Sequence, residues 1–97
     1  MHRVPGDELP GPGDPPGTFC WRQQGPGVGT PGGRYILYVC PHGRGYCGVP
    51  IRPNHLANGA GWTHDGNDDR PTLSPSVNCI GGCGWHGFVT AGEMTSV

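Results

Sequence analysis

The chain has 97 residues, of which 20 are glycine and 12 proline, and its hydrophobic fraction of 33% is low for a globular domain. One small domain is all that such a length and composition allow, and its core needs a supplement from metal, disulfide or partner subunit. Six arginines, no lysine and seven acids leave a net charge of −1 with no basic stripe, which argues against a nucleic-acid partner. No apolar run suits a signal peptide or a bilayer span, so no membrane role and a reducing, cytosolic setting are expected.

Residues 1–33 form a composition block in which seven prolines alternate with nine glycines. Proline removes backbone donors and glycine resists ordering, so an extended or flexible N-terminal arm is expected, building neither helix nor ladder. Phe19, Cys20 and Trp21 are an apolar island within it. They are either a chance cluster or an anchor that docks on the core or on another subunit, and in the second case the arm offers a route to oligomers.

Residues 34–97 read as the folded domain. Tyr35-Ile36-Leu37-Tyr38-Val39 is the clearest strand by its aromatic and β-branched content. Gly48 to Arg52 is a second short strand, and Trp62-Thr63-His64 runs into Asp65-Gly66, a dipeptide suited to a tight hairpin. Thr72 to Val77 alternates, which places Leu73, Pro75 and Val77 on one face of an edge strand. Gly87 to Thr90 and Met94 to Val97 are expected to pair around Ala91-Gly92. No segment has a capped helical period, so the fold class is all-β or nearly so: a small, zinc-stabilised antiparallel β domain.

Two glycine-rich turns carry the strongest chemical signal. One is Cys40-Pro41-His42-Gly43-Arg44-Gly45-Tyr46-Cys47, the other Cys79-Ile80-Gly81-Gly82-Cys83-Gly84-Trp85-His86. Tetrahedral zinc takes thiolate and imidazole ligands in pairs from such turns, whose backbone N–H groups also bond the sulfurs. The expected Zn²⁺ ligands are Cys40, Cys47, Cys83 and His86, with His42 and Cys79 as substitutes. Disulfides are the competing use of the same cysteines, less favoured in a reducing compartment.

With those residues in view, the chain resembles a family of small phage and prophage proteins commonly mislabelled "ammonia monooxygenase". The similarity runs from Tyr38 to about Met94. It rests on Cys40-Pro41, Trp62, Pro71-Thr72-Leu73-Ser74-Pro75-Ser76-Val77, and Cys83-Gly84-Trp85-His86-Gly87-Phe88-Val89 followed by Gly92. The resemblance implies a zinc-binding β domain of phage origin. The usual close cysteine pair after the first strand is altered here, with His42 beside the expected second position and Cys47 further on.

Three functions follow as expectations. The first is a non-enzymatic, phage-type accessory protein with structural zinc, binding another protein as a virion component of capsid or tail and found in the host cytoplasm or the virion. The second is a small zinc hydrolase in which three ligands leave a site for water and Glu93, Asp65 or His64 acts as base. The third is an inhibitor of a host enzyme or defence complex, presenting the acidic turn from Asp65 to Asp69. That turn lacks the glycine and bidentate glutamate of a calcium loop. Ser74 and Ser76 read as edge-strand hydroxyls because no strained elbow or paired base is evident, and Trp62, Trp85 and Phe88 as core residues.

Overall fold

The computed structural model describes residues 1–4, 9–10, 14–23, 33–41, 45–79 and 84–97. Among them the chain is all-β, with nine strands: β1 (His2–Arg3), β2 (Thr18–Gln23), β3 (Arg34–Val39), β4 (Tyr46–Pro50), β5 (Thr63–His64), β6 (Leu73–Ser74), β7 (Val77–Asn78), β8 (His86–Thr90) and β9 (Glu93–Ser96). They form a four-stranded sheet in the order β1-β2-β3-β4, a β5-β6 ribbon and a three-stranded β7-β8-β9 sheet. No helix among the described residues is long and apolar enough to cross a membrane.

The main sheet is organised by one row of inward side chains. Register pairs Phe19 with Tyr38 and Tyr38 with Cys47, then Trp21 with Ile36 and Ile36 with Val49. Directly paired residues share a face of a sheet, so these six line one side. Five of them are buried, and they meet Trp62, Leu73, Val77, Cys79, Trp85 and Val89 in a single core drawn from all three sheets. Tyr38 and Trp85 contact edge to face across it, with centroids 6.1 Å apart. Pro50 ends β4 on an outer edge of the sheet, where its missing N–H breaks no ladder.

The extended arm expected for residues 1–33 is not evident. β1 pairs in parallel with β2, and β2 pairs antiparallel with β3 along five registered positions. The Met1 amino group donates to the Gly92 carbonyl, bringing the β1 end to the β8–β9 turn. Phe19 and Cys20 are buried and Trp21 packs on the core, so the apolar island is the docking anchor of the second reading. Enough apolar content in six residues outweighed the proline and glycine around them.

Three local expectations also change. Thr72 to Val77 is two short strands, with a cis Ser74-Pro75 bond between them; Leu73 and Val77 are buried while Pro75 is exposed. Asp65-Gly66 opens a longer loop, because Thr63 pairs with Ser74 and His64 with Leu73. Within that loop Asp65 Oδ1 accepts from the N–H groups of Asn67 and Thr72, and Asn67 Oδ1 accepts from those of Asp69 and Arg70. Phe88 is half exposed rather than core. The β8–β9 hairpin does turn at Ala91-Gly92, whose φ angles of 49° and 76° suit the primed turn that matches strand twist.

A candidate functional site beside a cysteine staple

The two cysteine-bearing turns meet. The first closes through Cys40 N–H to the Gly45 carbonyl, the second through Gly84 N–H to Cys79 and Cys79 N–H to Trp85, and a disulfide joins Cys47 to Cys79 across 32 positions. Cys40 is disulfide-bonded as well, whereas Cys20 is a buried free thiol whose pKa burial pushes up. The supplement that so small a core requires is, in this structure, a disulfide.

Of the residues expected to bind zinc, Cys40 and Cys47 are buried, and so is the substitute Cys79. Cys83 and His42 lie outside the described residues. His86 is exposed on β8, and its Nε2 lies 3.3 Å from the hydroxyl of Ser76. Among the described residues no three His, Cys, Asp or Glu side chains are grouped to hold a metal ion.

The Ser76–His86 contact follows from strand geometry. Asn78 on β7 is the direct register partner of His86 on β8. Ser76, two residues before Asn78, falls diagonally from His86 on the same exposed side, while Val77 between them points into the core. Backbone contacts hold both members in place. The Trp62 indole N–H donates to the Ser76 carbonyl at 3.2 Å, and the Val97 N–H donates to the His86 carbonyl at 3.0 Å. Gly87, next to His86, leaves no room for a side chain: a Cβ there would run into the Trp85 ring and the Thr95 carbonyl. Trp85 is thereby pressed under the hairpin, with its indole N–H on Ser96 Oγ at 2.9 Å.

Other serines and histidines among the described residues sit in different surroundings. Of the chain's three serines, Ser96 accepts from Trp85, and Ser74 lies opposite Thr63 on the ribbon. His55 Nδ1 is 2.7 Å from the Leu56 carbonyl, and His64 Nε2 is 3.1 Å from that of Asn67. His64 also packs on Trp21 at 4.6 Å, and the Arg34 guanidinium lies 4.0 Å from the same ring. Arg34 in turn binds Asp68 at 2.7 Å and Arg3 binds Asp69 at 2.9 Å, so two carboxylates of the acidic turn are ion-paired. The hydrogen bond from Arg34 is the main cause that holds Asp68 below its ordinary pKa, and backbone N–H groups, Asn67 first, do the same for Asp65. Glu93 sits at the hairpin tip opposite Thr90, away from His86.

A partly exposed serine hydroxyl within reach of an exposed imidazole nitrogen on a braced β scaffold is the nucleophile and base arrangement of serine hydrolases. Residues 8–97 match the family model BubE, described as the bacterial ubiquitination-like system serine protease, and the chain belongs to that family. No curated protein and no solved structure matches the chain.

This membership corrects the sequence reading on several counts. The family is a protease family of a bacterial ubiquitination-like system, not a phage or prophage family mislabelled ammonia monooxygenase, and nothing in it supports a non-enzymatic virion component. The sequence reading missed the Ser76–His86 pair because ten residues and a strand crossing separate its members. The one linear sign was placement: a serine just before a short strand, with a histidine opening the strand that returns beside it.

Proposed function

We propose that this chain is a serine protease in which Ser76 is the nucleophile and His86 the general base, acting on a polypeptide of a ubiquitination-like system. The observation that carries it is the 3.3 Å contact between Ser76 Oγ, just before β7, and His86 Nε2 on the exposed side of β8. The separation is longer than an optimal hydrogen bond, as catalytic contacts often are before substrate binds. Family membership supports the reaction class and the partner class.

In the reaction, Oγ of Ser76 attacks the scissile carbonyl as its proton passes to His86 Nε2. The resulting tetrahedral intermediate collapses, and the amine leaves with the proton from His86. Water then attacks the acyl-serine ester, giving one proton to His86, which returns it to Oγ as the acid product departs.

Labelling with a fluorophosphonate probe, read by peptide mass mapping, tests this. The expected result is modification of Ser76, abolished by Ser76→Ala and strongly slowed by His86→Ala. Labelling at Ser74 or Ser96, or equal labelling of the His86→Ala variant, overturns it.

A further inference from the structure

We infer that Asn78 is a third catalytic residue, whose side-chain amide donates to the oxyanion formed when Ser76 attacks. The inference rests on the Ser76–His86 reading and assigns what that pair lacks, a donor for the developing negative charge.

A serine and a histidine move protons and make the covalent bond, but neither neutralises the oxygen that becomes charged in the tetrahedral intermediate. Hydrogen-bond donors fixed in advance around that oxygen supply much of the rate in acyl-transfer enzymes. The β7–β8 register puts one such donor in place. Asn78 is paired directly with His86, and paired side chains stand about 5 Å apart at Cβ on one face. Ser76 lies two residues away on that same face, about 7 Å along the strand at the usual rise per residue. A carbonyl approaching Ser76 Oγ therefore has the imidazole on one side and the Asn78 carboxamide beside both. The amide N–H₂ reaches roughly 2.5 Å beyond Cβ on standard bond lengths, which brings it into the gap where the carbonyl oxygen sits.

Two further observations fit a donor kept for substrate. The Asn78 side chain is exposed and makes no hydrogen bond to the described residues, unlike Asn54, Asn58 and Asn67, whose side chains are engaged in local bonds. The backbone on either side of Asn78 is clamped. Trp62 holds the Ser76 carbonyl, the side chain of Val77 is buried, and the bond to Cys47 fixes Cys79. A short segment held at both ends keeps its donor in position without reorganisation during the reaction, which is where such a group gains its effect.

The experiment uses hydrolysis of p-nitrophenyl acetate by the full chain, with wild type, Ser76→Ala, Asn78→Ala and Asn78→Asp compared. Asn78 is exposed, and unchanged thermal unfolding of the two Asn78 variants serves as the folding control. The expected outcome is a fall in kcat of about 100- to 1,000-fold for both variants, with KM within about threefold and the acid limb of the pH profile unmoved. A loss of less than threefold, or a shifted acid limb that marks a role in orienting His86, overturns the oxyanion assignment alone. Turnover that survives Ser76→Ala overturns the Ser76 reading and this assignment with it.

Discussion

The Trp62 indole and the Ser76 carbonyl are joined by a 3.2 Å hydrogen bond that ties the proposed nucleophile to the buried core. Trp62 itself is nine-tenths buried and bridges to Ile51 just beyond β4, so the position of Ser76 is inherited from the packing of the common core. Replacing the indole by phenyl keeps most of the apolar contact and removes the donor. Trp62→Phe is therefore expected to lower Ser76-dependent ester turnover about tenfold while stability falls by only about 1–2 kcal/mol, read by kinetics and urea unfolding on one preparation. Turnover unchanged by this variant would show that Ser76 is held from elsewhere.

The hydroxyl of Tyr38 is fully buried and has no hydrogen-bond partner among the described residues, and burial pushes its pKa well above the ordinary phenol value. A buried polar atom without a partner carries its desolvation cost uncompensated. Tyr38→Phe deletes that atom and keeps the ring against Trp85. The variant should be more stable than wild type by about 1 kcal/mol in chemical denaturation, and a loss of that size would reveal a partner for the hydroxyl.

The Cys47–Cys79 bond closes a loop of 32 positions. On the chain-entropy argument, Cys79→Ser should cost about 3–4 kcal/mol, and a reducing agent, which also opens the bond at Cys40, should lower wild-type stability by more than that. Intact mass under non-reducing conditions gives the direct check, two hydrogens lost per bond formed. A chain with free thiols whose native mass carries one bound zinc atom would overturn the disulfide and restore the metal expected from the sequence.

Asp68 is the ion pair whose pH dependence is simplest to follow. Its folded pKa is depressed, chiefly by the Arg34 hydrogen bond, so its stabilising contribution is present above the ordinary carboxylate pKa. It is lost as pH falls through the depressed folded value. Asp68→Asn should lower the melting temperature near neutrality and flatten its decline in acid, measured by thermal unfolding at a series of pH values. Parallel profiles for variant and wild type would show that the pair contributes nothing, which surface pairs sometimes do.

Several strands were legible in the residues alone, for identifiable reasons. Arg34 to Val39 carries β-branched or aromatic side chains at four of its six positions, and Ala91-Gly92 separates two runs that pair as a hairpin. The apolar island at Phe19 was visible as an anomaly. Its role as a central strand was not, because the partner that stabilises it begins eleven residues beyond Gln23. The fate of Thr72 to Val77 was hidden for a related reason: alternation marks which side chains are inward, but a bend at Pro75 divides one apparent strand between two sheets.

Composition and local pattern by themselves determined an all-β chain poor in apolar residues, and singled out the cysteines of the two glycine turns, though as zinc ligands and not as the Cys47–Cys79 disulfide of the structure. Those are properties of short segments, set by side-chain shape, backbone freedom and total apolar content. Only the tertiary structure decided that Cys47 meets Cys79, that Phe19 to Trp21 is a strand of the main sheet, and that His86 faces Ser76 with Asn78 at its side. Each of these depends on the register between strands, and register is settled by which faces the common core can bury together.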